Sequence, residues 1–108
     1  MIPRFHDRHE RLKYLKALET ARRIMIDPAL IDTARVFVRR AMAPDSHQSQ
    51  YAAMWERLLT RPAHEVAAAL TEDSETGRLL RDTSPVFGKG FTSREVAVLL
   101  EQVDAAPP

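Results

Sequence analysis

At 108 residues the chain is long enough for one domain with a modest core, and its 44% hydrophobic and 29% charged composition is that of an ordinary globular fold. The absence of cysteine excludes disulfides and thiolate metal sites, and no apolar run is long enough to span a bilayer. A net charge of +1 excludes the strongly basic balance of most nucleic-acid binders, although ten basic residues face six acidic ones up to Gln50 and six face nine from Tyr51 onward.

The opening "MIPRFHDRHERLK" lacks the apolar centre of a signal peptide, so a cytoplasmic location is expected. From Asp7 to Ile26 there is neither proline nor glycine, and apolar residues recur at helical spacing. Tyr14, Ala17, Leu18, Ala21 and Met25 share one face; Leu12, Leu15 and Ile26 lie nearly opposite. A helix apolar on two sides is central or contacts a second chain, which points to self-association through Leu12, Leu15 and Ile26.

Asp27-Pro28 ends this helix and starts the next, since Asp caps well and Pro suits a first turn whose N–H needs no partner. The second helix, about 28–42, carries Leu30, Ile31, Ala34, Phe37, Val38 and Ala41 inward, with Arg35, Arg39 and Arg40 on its other sides. "APDSHQSQ" reads as a turn, with Asp45 or Ser46 capping a third helix at about 46–59 that holds Tyr51, Met54, Trp55, Leu58 and Leu59. Pro62 interrupts it, and a shorter helix to Leu70 places Val66, Ala67 and Leu70 inward. "TEDSETG" is a polar loop before a short helix containing Leu79 and Leu80.

The last helix has the clearest start. Thr92 and Glu95 are spaced as a capping box, and Phe91 with Val96 as a hydrophobic staple. Val96, Leu99, Leu100 and Val103 form its stripe. No segment alternates as a strand does. The chain therefore reads as all-α, a compact bundle of five or six helices over 1–104 with a flexible tail at 105–108. Its core is expected to include Leu18, Ala21, Leu30, Phe37, Tyr51, Trp55, Leu58, Leu80, Val96 and Leu99.

Chemistry is sparse. His6 and His9 could share a helix face with Asp7 and Glu10, but two histidines near a chain end fall short of a catalytic zinc site, and His47 and His64 read as turn and first-turn residues. "GKG" at 88–90 has neither the spacing nor the preceding strand of a phosphate loop. No nucleophile, base and orienting group stand out together, so no catalytic residue, metal or cofactor is assigned and the chain is read as non-enzymatic. Between Arg81 and Phe91, "RDTSPVFGKGF" reads as a corner linking two helices, with Phe87 and Phe91 either core or contact residues. Trp55, by its spacing with Tyr51 and Met54, reads first as core and otherwise as an interface anchor. Arg78 and Arg81 either pair with Glu75 and Asp82 or present forks to a partner carboxylate.

"FTSREVAVLL" is similar to the opening helix of helix-turn-helix regulators, but "EQVDAAPP" stands where the recognition helix would follow. A longer resemblance covers about residues 51–103. "WERLL", "LTEDSETGRLLRDTSPVFG" and "TSREV" resemble the pattern of small all-helical bacterial antitoxin-like proteins, with Val86 between Pro85 and Phe87 and Lys89 in the glycine turn as departures. That resemblance implies a non-enzymatic regulatory subunit that neutralises a partner protein by direct binding; it does not identify the partner, for which a toxin encoded nearby is one candidate. Its candidate contacts are Leu12, Leu15, Trp55, Arg81, Phe87 and Phe91. The alternative is a DNA-binding regulator using Arg35, Arg39 and Arg40.

Overall fold

The computed structural model describes residues 8–42 and 49–105. Among these, every regular element is helical: α1 Arg8–Ile26, α2 Leu30–Ala41, α3 Ser49–Leu58, α4 Ala63–Leu70, α5 Glu75–Asp82 and α6 Ser93–Ala105. The all-α expectation holds. His6, His47 and the expected caps Asp45 and Ser46 lie outside the described residues. α5 begins inside the expected polar loop, because the Ser74 hydroxyl accepts from the Gly77 N–H at 3.0 Å and so caps a helix from Glu75.

α1 is the spine. It packs most extensively on α4 and also meets α6, α5 and α2. Small buried residues on both sides, Ala17 in α1 and Ala67 in α4, let those two backbones approach. The buried residues of α1 are Tyr14, Ala17 and Ile24, which corrects the expected face. Leu18 and Met25 point outward, 38% and 54% exposed, and Ile24 is fully buried in their place. The apolar arc of α1 is wide enough to offer either side, and the approach of α4 selects the side bearing alanine. Leu12 and Leu15 are half-buried, so the expected second apolar face narrows to Ile26.

The core runs from Ile24 through Ile31, Ala34 and Val38 of α2 to Trp55 and Leu59, Val66 and Leu70, Leu80 and Phe87. Leu30, Tyr51 and Leu58 pack on its edge, while Ala21, Phe37, Val96 and Leu99 are half-buried. The Trp55 indole N–H donates to the Thr83 hydroxyl at 3.0 Å, and that hydroxyl donates to the Leu79 carbonyl at 2.8 Å. A buried indole keeps its hydrogen bond, and the last turn of α5 is tied to α3.

α6 lies antiparallel on α1: Arg8 pairs with Asp104 at one end, and Arg23 with Glu95 at the other. Its expected buried stripe reduces to Val103, because one helix covers it and the other sides face water. None of the described helices is long and apolar enough to cross a membrane.

Candidate functional site

The segment between α5 and α6 is the corner that its residues suggested, and it is held from several directions. Gly88 and Gly90 have φ of +65° and +70°, the left-handed region where a side chain is strained. The Gly88 N–H donates to the Thr33 hydroxyl of α2 at 2.7 Å, and a Cβ on Gly88 would come within 2.7 Å of Leu30. The Gly90 carbonyl accepts from Arg23 of α1 at 2.9 Å. Phe87 is buried edge-on against Trp55, with ring centroids 6.5 Å apart. The corner is thus clamped between α1 and α2.

The capping box forms as its spacing required. Thr92 N–H donates to Glu95 Oε1 at 2.9 Å, and Glu95 N–H donates to the Thr92 hydroxyl at 3.1 Å. Glu95 Oε2 also pairs with Arg23, whose guanidinium bonds Glu19 as well and lies 4.7 Å from the Phe91 ring centroid. The hydrogen bond from the Thr92 backbone, then the Thr92 hydroxyl and Arg23, hold the Glu95 carboxyl below the usual range. Arg23 is a hub that spacing alone did not reveal, because its partners Gly90 and Glu95 lie 67 and 72 residues away.

Two hollows flank the corner. The inner cleft, about 400 Å³, lies between α1 and the corner. Its apolar walls include Leu30, Leu70, Pro85, Phe87, Phe91 and Val96. Four cations reach it, Lys13, Lys16, Arg23 and Arg81, and no carboxylate lines it. Lys13 is bonded to Asp82 at 2.8 Å. Arg81 donates to the carbonyls of Leu70 and Glu72 at 3.1 and 2.9 Å, capping the end of α4, and lies 5.3 Å from the Tyr14 ring centroid. Burial pushes its pKa down from the ordinary arginine value. Lys16 stands 5.9 Å from the Phe91 ring centroid and makes no ion pair among the described residues.

The outer groove, about 410 Å³, lies on the far side of the corner and is lined by Thr33, Val36, Phe37, Arg40, Val86 and Gly88, with Ala41 at its end. Val36 and Val86 are 44% and 41% exposed, too open to be core. Arg39 and Arg40 are exposed and make no ion pair among the described residues.

The sequence-derived candidates therefore separate. Trp55 and Phe87 are core, which removes both from the outer face a partner protein would meet; only an edge of Phe87 reaches the inner cleft. Arg81 binds backbone carbonyls rather than Glu75 or Asp82; Asp82 pairs with Lys13, and Arg78 approaches Glu10 at 3.7 Å. Phe91 is half-buried beneath Arg23 and Lys16 in the inner cleft, away from Leu12 and Leu15, which do not line it. Arg35 donates twice to the Leu59 carbonyl, at 3.1 and 2.6 Å, and pairs with Asp32 at 2.8 Å, so its fork closes the end of α3. Of the three arginines offered to DNA, Arg39 and Arg40 remain free to meet a ligand. Val36 and Val86 were missed, although Thr33, Val36, Phe37 and Arg40 recur at helical spacing and mark a second stripe on α2. His9 is exposed, and no group of three or more His, Asp or Glu among the described residues could hold a metal.

Compared with protein-family models, with curated proteins and with solved structures, the chain matches none.

Proposed function

We propose that the chain is a non-enzymatic regulatory protein that restrains a partner protein by direct binding, as the antitoxin-like subunits it resembles do. The observation that carries this reading is the outer groove. Val36 and Val86 expose apolar surface on either side of a hollow whose base is held by the clamped corner. An apolar hollow on a clamped base loses little entropy on binding, and Arg40 supplies charge at its rim. The complementary partner offers an apolar side chain flanked by carboxylates. In the same reading the chain self-associates through the exposed end of α1, where Met25 and Ile26 are 54% and 71% exposed.

The test is co-expression with the protein encoded by the adjacent reading frame. Co-purification is expected with the native chain and not with Val36→Asp combined with Val86→Asp, while the melting temperature of the double variant stays close to the native value. Co-purification that survives both substitutions removes the groove from the proposal. Binding to the chain's own upstream DNA that falls steeply with salt, and that is abolished by Arg39→Gln with Arg40→Gln, replaces the reading with the DNA-binding one.

A further inference from the structure

The inner cleft is chemically different from the outer groove. Its volume lies at the lower end of the roughly 300–1,000 Å³ typical of small-molecule pockets. An apolar wall meets cations on α1 and α5, and no carboxylate faces the hollow.

The cations are unequally committed. Arg23 is occupied by Glu19, Glu95 and the Gly90 carbonyl, and Lys13 by Asp82. Lys16 has no carboxylate partner among the described residues; its ammonium lies above the face of Phe91. Arg81 spends one terminal nitrogen on two backbone carbonyls and forms no ion pair among the described residues. Lys16 thus borders the apolar hollow with no carboxylate bound to it, and Arg81, with Asp73 and Asp82 near it, keeps guanidinium N–H groups that no carboxylate occupies.

We propose that the inner cleft binds a small amphipathic carboxylate, its hydrocarbon or aryl body lying against Phe91, Val96 and the exposed edge of Phe87 and its carboxylate held by Lys16 and Arg81. A carboxylate has the acceptor geometry that both a guanidinium fork and an ammonium require. Neither an uncharged apolar molecule nor a small inorganic anion satisfies both halves of the site. This site is chemically distinct from the outer groove, with which it shares only the Val86 wall.

Octanoate, below its micelle concentration, is the probe. Calorimetric titration of the native chain is expected to show saturable binding near one per chain. Trp55 emission is expected to change in parallel, because Trp55 packs on Phe87, which lines the cleft. Octan-1-ol, with the body and no charge, and acetate, with the charge and no body, are each expected to bind at least about ten-fold more weakly. Lys16→Met keeps the stem that lies along the cleft and removes the charge; it is expected to weaken octanoate by about ten-fold or more, as loss of one charge-assisted hydrogen bond implies. Lys16→Arg is expected to restore the affinity, and melting curves of both variants confirm that they fold. The proposal is overturned if octanoate gives no saturable heat, if octan-1-ol binds as tightly, or if Lys16→Met binds like the native chain.

Discussion

At the scale of single residues, the least replaceable position is Gly77 rather than either glycine of the corner. A Cβ built on Gly77 would stand 2.0 Å from the Glu72 carbonyl oxygen and 2.9 Å from its carbon, both backbone atoms that cannot rotate away. That carbonyl is also an acceptor for Arg81 Nη1 at 2.9 Å, so Gly77 and Arg81 converge on the exit of α4. Gly77→Ala should cost about 3 kcal/mol or more through overpacking, measured as a fall in the urea midpoint. A loss no larger than about 1 kcal/mol, the scale of an ordinary exposed change, would mean that α5 can shift away from α4. Phe87→Ala should cost about 3 kcal/mol or more, since Phe87 is buried and packs on fully buried Trp55. An unchanged midpoint would return Phe87 to the contact surface. Nothing in the one-dimensional pattern marks Gly77 as special, because its clash partner is a backbone carbonyl in the turn after α4, placed there by the packing of α5 on α4. The arginine caps were hidden for the same reason: Arg35 and Arg81 satisfy carbonyls 24 and 11 residues away, and a carbonyl has no sequence signature.

At the scale of elements, legibility followed the range of the interaction. The start of α6 could be read because a capping box depends only on residues three apart, and both of its hydrogen bonds are present. The inward face of α1 could not, since Leu18 and Ile24 are equally apolar and the choice belongs to α4. The outer groove was partly legible in α2, whereas its opposite wall, Val86, comes from a corner placed there by tertiary contacts. The α1–α6 pairing carries a pH consequence. Glu95 lies below the ordinary carboxylate range chiefly through the Thr92 backbone, Asp104 through Arg8, and Glu19 through Arg22. For a carboxylate whose folded pKa is depressed, the unfolded chain takes up protons first. Its stabilising contribution is therefore full above the ordinary range, near pH 4 to 4.5, and is lost as pH falls through the lowered values. Stability should be flat with respect to these groups near neutrality and decline below about pH 4. Glu95→Gln retains an acceptor for the cap but cannot titrate, so its urea midpoint should change less between pH 7 and pH 3 than that of the native chain. Equal changes in the two proteins would show that Glu95 contributes nothing to the acid limb.

At the scale of the whole molecule, α1 joins the first and last parts of the chain. Arg8, Lys13 and Arg23 pair with Asp104, Asp82 and Glu95, drawing α5 and α6 back along it. The first two pairs are exposed and the third half-buried, so the exposed two set register more than they add stability, and the cohesion comes from the apolar cluster beneath. With α4, α5 and α6 grouped around α1, its outward apolar residues are Leu18, Met25 and Ile26, and the exposure rises along the helix to 71% at Ile26. Apolar surface concentrated at one helix end is the kind of patch that a homotypic contact covers. Sedimentation of the native chain at tens of micromolar should therefore show dimer, the concentration range in which a micromolar dissociation constant populates it. Ile26→Asp should shift the population to monomer. Because Ile26 contributes little to the monomer's core, the same substitution should leave the unfolding free energy measured on dilute monomer within about 0.5 kcal/mol of the native value. Val36→Asp, on the other side of the molecule's corner, should leave the dimer intact. A native chain that sediments only as monomer would show that Met25 and Ile26 form no homotypic contact, while an Ile26→Asp variant that still dimerises would place the interface elsewhere on the bundle.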